Sequence, residues 1–476
     1  MSTTVANPKS LQKRQKQIAR WEKKLNYKGK NFYLIYIIFI ITLIYATDEI
    51  ASQINTLMKT EIANNLMASF GQSSVGMLNL ASSLAIPFQV LGLFYRPLAD
   101  RFGRKTFLVI NTFGMSIALI SIFLSNNLIM YLLGACMIQF FVPHDMHVVY
   151  IMETSPPKHR ARIYSSIKFV ANMSVMLVPL LRRWLMTQAS EWRAVYFIPA
   201  LIGLVVSFIA LLLAREPEVF VQSKLRQLRM TDEERAEEKR KKDAENAQGG
   251  LFTALKFALK HKQLRWLFIT ATFLNLGFIF SIDYQVIMSY GYAESLFGNF
   301  SESAMNAVST GPVSTALFLF PVGCAVSQVI MGFISDGIGR KAAAITTATN
   351  CLASFILFWV GSRYNWNPLL VGFLCGASVG SFYSVNDVII MMVGESAPTN
   401  LRSSAMSAEF IIVALGYGIS MGAGFLSGIL LGSEYIGTVA MILLVPGFVA
   451  GLGMLIKKTH DTKNINLDTV TGTEWD

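Results

Sequence analysis

The sequence predicts an all-α membrane protein of twelve transmembrane helices in two pseudo-symmetric six-helix bundles. Three observations carry this expectation. Of 476 residues, 53% are hydrophobic and only 15% charged, with a mean hydropathy of +0.46, too little charge to cover a soluble protein of this size. Twelve apolar stretches follow one another along the chain, each long enough to cross about 30 Å of hydrocarbon as a helix. A basic signature between two of these stretches, Asp100-Arg101-Phe102-Gly103-Arg104-Lys105, returns as Asp336-Gly337-Ile338-Gly339-Arg340-Lys341.

In chain order, residues 1–30 form a basic cytoplasmic segment, in which Leu11, Ile18, Trp21 and Leu25 recur at helical spacing among nine Lys and Arg residues. Such a segment suits either an amphipathic helix lying on an anionic leaflet or a solvated tail that fixes topology. Residues 31–214 hold the first bundle, with spans near 32–57, 75–98, 106–125, 129–152, 163–187 and 194–214. Each must be helical, because a backbone N–H in lipid finds a partner only within its own segment. A cytoplasmic linker occupies 215–262. In it Thr231 and Glu234 frame a capping box, and Glu237 and Glu238 stand four residues before Lys241 and Lys242. Gly249-Gly250 ends that helix, and Leu251, Phe252, Leu255 and Leu259 then oppose Lys256, Lys260 and Lys262 as an interfacial helix. Residues 263–457 hold the second bundle, with spans near 265–290, 313–334, 342–361, 367–391, 404–430 and 433–456, and 458–476 form a cytoplasmic tail.

Orientation follows from Lys and Arg, which concentrate in the N-terminus, 101–105, 158–162, 215–262, 340–341, Arg402 and 457–458. Both termini are therefore expected in the cytoplasm, with Lys59, Arg182, Arg183, Arg193 and Arg363 as exceptions on the other side. A cleavable signal is not expected, since a basic stretch of about thirty residues precedes the first apolar core. The net charge of +12 is spread over tails and alternate loops, so no nucleic-acid partner is expected. Cys136, Cys324, Cys351 and Cys375 lie within apolar spans without a CxxC pair and read as small hydrophobes, with neither disulfide nor metal site.

A second motif is also doubled. Glu153, Pro156 and Arg160 are matched by Glu395, Pro398 and Arg402, at an offset of 242 residues against 236 for the first motif. Two motif types repeated at nearly one offset suggest two homologous halves. On these residues the chain resembles the major facilitator superfamily from about Asn31 to Lys458. The Glu-Pro-Arg pair is similar to its branch of sugar porters, organic-ion transporters and proton–metabolite symporters. One departure is Arg96, standing where the first motif opens with a glycine, which Gly332 supplies in the second copy. The resemblance implies that Asp100, Arg104, Glu153 and Arg160 meet Asp336, Arg340, Glu395 and Arg402 between the bundles and close the cytoplasmic side as a gate. Such pairs must break in every cycle, and since about 1.4 kcal/mol is a tenfold change in population, a few kcal/mol suffice.

Ionisable groups at membrane depth cost about 2.5–3.5 kcal/mol each on insertion scales and are functional candidates by default. Span one carries Asp48 and Glu49; span four, His144, Asp145 and His147; span five, Lys168; span seven, Asp283 and Tyr284; span ten, Asn386 and Asp387; span eleven, Glu409. The repeat relates Asp145 to Asp387 and Asp48 to Asp283, at offsets of 242 and 235 residues. The family resemblance implies that spans one, four, seven and ten face a central cavity, so these groups form a candidate substrate and proton cavity. Desolvation and neighbouring like charge favour the neutral form of a carboxyl, which lets a cavity acid exchange protons near neutral pH. Lys168 suits an ion pair or an anionic substrate. The two histidines, three residues apart with no third ligand, make a weak metal site, and no metal or other cofactor is expected.

The sequence thus leads to a secondary active transporter in the plasma membrane, a monomer in lipid, moving a small polar solute by alternating access. No Walker-type phosphate loop is present, so an ion gradient, H⁺ first, is the expected energy source. A small organic anion, carried by proton symport, is the first substrate class. A sugar or polyol, cation or drug antiport, and a non-transporting nutrient sensor are the alternatives. No nucleophile–base arrangement suggests an enzyme.

Overall fold

The computed structural model describes residues 8–25, 30–88, 91, 98–99, 103–142, 146–154, 160–231, 234, 237, 240, 251–398, 401–463, 465 and 474. Every regular element among them is helical. Nine of these helices are long and apolar enough to cross a membrane: Phe32–Leu57, Arg104–Phe123, Ala189–Leu213, Lys262–Phe297, Glu302–Gly337, Arg340–Arg363, Pro368–Ser396, Ser404–Leu430 and Ser433–Lys458. Expected spans two, four and five are represented by shorter helices: Ser74–Ser83; Leu128–Phe141 and Met146–Thr154; Arg160–Ser174 and Leu177–Leu185. Span five differs from the continuous helix expected for a chemical reason. Pro179 has no N–H for the Val175 carbonyl, which accepts instead from Val178 N at 3.0 Å, and the helix restarts there.

Local chemistry sets the helix ends. Asn127 and Ser301 accept from the backbone N–H groups of Met130 and Ala304, closing N-termini. Gly298, at φ 64°, ends Phe278–Phe297 in the left-handed conformation that glycine tolerates. The Thr231–Glu234 capping box forms as expected: Thr231 N donates to Glu234 Oε2 at 2.7 Å and Glu234 N to Thr231 Oγ1 at 3.2 Å.

The chain divides into two compact units, one within residues 1–243 and the other drawing on both halves of the sequence. One comprises Met1–Ser52, Leu84–Ser174 and Tyr196–Asp243. Its core joins Ile37, Ile41, Tyr45, Phe107, Tyr150 and Val206. The basic N-terminal segment is helical over Pro8–Leu25. It packs on the helix Glu218–Arg229, with Trp21 5.8 Å from Phe220 and Glu22 2.6 Å from Arg229, so part of its surface is covered by protein.

The other unit comprises Gln53–Ser83, Val175–Val195 and Ala244–Asp476. Its tightest contact lies between Ser314–Gly337 and Pro368–Ser396. There Gly376 meets the Phe320 carbonyl with no room for a Cβ, and Gly372 and Gly380 flank it one turn away on each side. Phe280, Phe355, Phe358 and Phe382 fill the space behind. Phe333, Leu415 and Leu430 stay exposed on helix surfaces, as a lipid-facing wall requires.

Candidate functional site

The duplicated motifs recur as duplicated geometry, one copy in each unit. In the first, Arg104 Nη2 lies 3.0 Å from Glu153 Oε1. In the second, Arg340 Nε lies 3.1 Å from Glu395 Oε1 and Nη1 2.9 Å from Asp336. Each arginine opens a helix whose first N–H groups need acceptors, and a distant acid supplies them. Glu216 Oε2 accepts from Arg104 N and Lys105 N at 2.8 and 3.2 Å. Asp461 Oδ1 accepts from Arg340 N and Lys341 N at 2.9 and 3.3 Å. The preceding glycines, Gly103 at φ 124° and Gly339 at φ 147°, allow the turn and leave no room for a Cβ against those carboxylates. Arg402 donates to the Gly394 carbonyl at 2.9 Å. Asp100 lies outside the described residues, as does the side chain of Arg160.

The cavity candidates fall in both units. In the first, Asp48 is buried, Glu49 and Lys168 are half-buried, and His147 is buried with its ring 4.0 Å from that of Tyr45. Nε2 of His147 has no hydrogen-bond partner among the described residues. His144 and Asp145 lie outside the described residues. In the second unit, Asp283 and Tyr284 are fully buried and Glu409 is buried. Asn386 accepts from Asn275 Nδ2 at 2.6 Å, and Asp387 is exposed.

Asp283 anchors a buried polar cluster in that unit. It interrupts the helix Phe278–Phe297 with φ −121° and ψ 16°. Its Oδ1 receives Lys59 Nζ at 2.6 Å, and its Oδ2 receives Asn79 Nδ2 at 2.9 Å. Lys59 Nζ also donates to the Ile282 carbonyl at 2.7 Å, at the same interruption. Tyr284, the next residue, stacks on Phe320 with centroids 4.4 Å apart.

Two residues from Lys59, Glu61 forms a second buried pair with Arg182, whose Nη2 lies 2.6 Å from Glu61 Oε1 with both side chains wholly inaccessible. Desolvating both charges is tolerated only where their remaining hydrogen-bonding capacity is used, and here it is. Arg182 also donates to Ser314 Oγ, to the Leu57 carbonyl and to the Ser309 carbonyl at 3.1, 2.7 and 3.2 Å. Glu61 accepts from Ser309 Oγ and from Gln285 Nε2 at 3.2 Å. Gln285 Oε1 takes Thr60 N and Oγ1 at 2.9 and 2.8 Å, which joins the two pairs through adjacent residues of one helical turn. Ser309 opens a π-helical turn, Ser309–Val313. Within it Pro312 lacks the N–H that the Val308 carbonyl would otherwise receive, and such turns often mark functional sites.

Lys59, Glu61, Asn79 and Arg182 were not among the sequence candidates. Lys59 and Arg182 stood out only as exceptions to the charge bias, and Glu61 fell in an expected loop. Their departure from the charge bias of the loops, with Lys59 two residues from an acid, is the available signal.

The Major Facilitator Superfamily profile matches residues 37–420. The chain belongs to this superfamily. Its fold is the all-α membrane fold of that family, and its named relatives are transporters rather than enzymes. It is 25% identical to the cis,cis-muconate transport protein of Acinetobacter baylyi over 378 residues, 76% of this chain and 81% of that protein. It is 24% identical to the human solute carrier family 2, facilitated glucose transporter member 4 over 176 residues, 34% of each. Among solved structures, the xylose transporter XylE of E. coli in an inward-open conformation superposes with a TM-score of 0.63 at 15% identity, over 93% of this chain and 100% of that one. A bacterial homologue of the human lysosomal transporter Spinster gives 0.56 at 17% identity, over 90% and 96%. Those two likenesses concern the fold.

Proposed function

We propose that this superfamily member moves a small organic carboxylate across the plasma membrane together with a proton, by alternating access between two six-helix bundles, as a monomer with both termini in the cytoplasm. The observation that carries the reading is the Lys59–Asp283 pair, 2.6 Å apart and built into the helix Phe278–Phe297. Its charges cancel. When Asp283 takes a proton, the Lys59 ammonium loses its counter-charge, and a buried unpaired cation is costly. The carboxylate of a substrate restores the balance, so one proton accompanies one carboxylate without net buried charge. Asp48, Glu49, His144, Asp145, Lys168 and Glu409 are further candidates for carrying the proton or meeting the substrate. Tyr284, Asn386 and Asp387 are the candidates for holding the substrate in the second unit, and the two Arg–Glu motif pairs serve as the cytoplasmic gate. The ion gradient, with no bound cofactor, supplies the energy.

The likeness to the muconate transport protein, covering most of both chains, favours an organic acid. A sugar porter is the second reading, favoured by the partial match to the glucose transporter. Uptake into proteoliposomes of labelled cis,cis-muconate, benzoate and glucose, each with and without an inward proton gradient, decides between them. The proposal expects gradient-driven accumulation of a carboxylate, whereas accumulation of glucose alone would transfer the reading to sugars.

A further inference from the structure

The second unit contains a cavity of about 620 Å³ in which Glu61 forms part of the wall. The rest comes from Tyr290 and from connections that alternation of the spans puts on the end of this unit away from the Arg340 motif: 64–74, 188–190 and 300–306. Three amides of its wall, Asn65, Gln188 and Asn306, are oriented by their partners. Asn65 Oδ1 accepts from Arg193 Nη2 at 3.0 Å, and Asn306 Oδ1 accepts from Ala189 N at 2.6 Å. The Gln188 side chain accepts from Glu191 N in a capping box. A guanidinium and a backbone N–H can only donate, so these three partners fix which end of each amide is oxygen. Each carbonyl accepts one of these bonds, and each NH2 group remains a donor.

The acids present do not offset this. Glu61 is saturated by Arg182, Ser309 and Gln285. The Glu191 carboxylate is held by the N–H groups of Thr187 and Gln188 at 2.6 and 3.1 Å. Glu302 is exposed, where water and salt screen it. Tyr290 and Phe300, with ring centroids 5.2 Å apart, give one wall an apolar face.

We propose that this cavity is a separate binding station for the transported carboxylate, reached before the Lys59–Asp283 pair. The NH2 groups of Asn65, Gln188 and Asn306 bind the carboxylate oxygens, and the Tyr290–Phe300 wall covers an unsaturated or aromatic body. The inference rests on the carboxylate reading above and adds to it a site on the loop side of Glu61.

The test uses full-length protein in proteoliposomes. Ser303, an exposed residue of the cavity wall, is replaced by cysteine, and its labelling by a membrane-impermeant maleimide is timed with cis,cis-muconate, benzoate or glucose outside; wild type controls for the native cysteines. Asn306→Asp is the second variant. It keeps the oxygen that receives Ala189 N and exchanges the free NH2 for a second oxygen. The proposal expects a carboxylate to slow Ser303→Cys labelling. It also expects Asn306→Asp to raise the carboxylate concentration needed for that protection, and for half-maximal uptake, about tenfold, with uptake at saturation retained. Uptake of a carboxylate without protection, or protection unchanged by Asn306→Asp, overturns the station while the transport reading stands. Protection by glucose but by neither carboxylate overturns the ligand class assigned to the cavity. Absence of carboxylate uptake in wild type, measured separately, is the failure of the underlying reading.

Discussion

Lys59 Nζ sits 2.6 Å from Asp283 Oδ1, and both groups are withdrawn from solvent, Lys59 to 14% exposure and Asp283 to none. Removing one partner of such a pair strands the other. Lys59→Ala and Asp283→Asn should each lower stability, by about 3–5 kcal/mol when the stranded charge cannot escape. The double variant should recover part of that loss, because it buries no unmatched charge. Thermal unfolding of the four proteins in one detergent reads the coupling directly.

Arg182 should not tolerate lysine. Its guanidinium serves Glu61, Ser314, Leu57 and Ser309 from three nitrogens at once, and an ammonium cannot span those directions. Arg182→Lys keeps the charge but leaves buried acceptors unmet, at about 1–3 kcal/mol each. A clear fall in melting temperature is expected, whereas Arg183→Lys, at an exposed neighbouring position, should melt with wild type.

Two glycines on neighbouring spans should behave oppositely. A methyl group at Gly376 collides with the Phe320 carbonyl, whereas at Gly332 it meets nothing within 4 Å. Gly376→Ala should therefore cost about 1–3 kcal/mol as an overpacked contact, and Gly332→Ala should be near neutral. The comparison is made by the yield of monodisperse protein and its melting temperature.

The Arg104–Glu153 and Arg340–Glu395 pairs should influence turnover more than binding. Glu153→Gln and Glu395→Gln each remove the carboxylate charge opposite an arginine that also opens a helix. If these pairs bias two conformers, each substitution shifts the populations by up to about tenfold for 1.4 kcal/mol. Lower maximal uptake with ligand affinity within a factor of about two is the expected split.

Much of this was legible in the sequence, for identifiable reasons. Helices in lipid are forced by the backbone, so apolar length alone announces them. The Thr231–Glu234 cap is a contact across three residues, and local sequence specifies it. Asp283 was visible because an acid inside an apolar span is conspicuous. Its partner was not: Lys59 lies 224 residues away and Arg182 lies 121 residues from Glu61, and nothing local marks such pairings. The same holds for Glu216 and Asp461, which cap helices 112 and 121 residues distant. The break in span five was legible in Pro179, but apolar length outweighed it in the reading.

The most direct test of proton-linked carboxylate transport places the purified protein in liposomes that enclose a pH-sensitive dye. The account predicts that adding cis,cis-muconate or benzoate outside acidifies the lumen in wild type and that Asp283→Asn abolishes the signal. Carboxylate uptake without acidification, or an undiminished signal in Asp283→Asn, would contradict it.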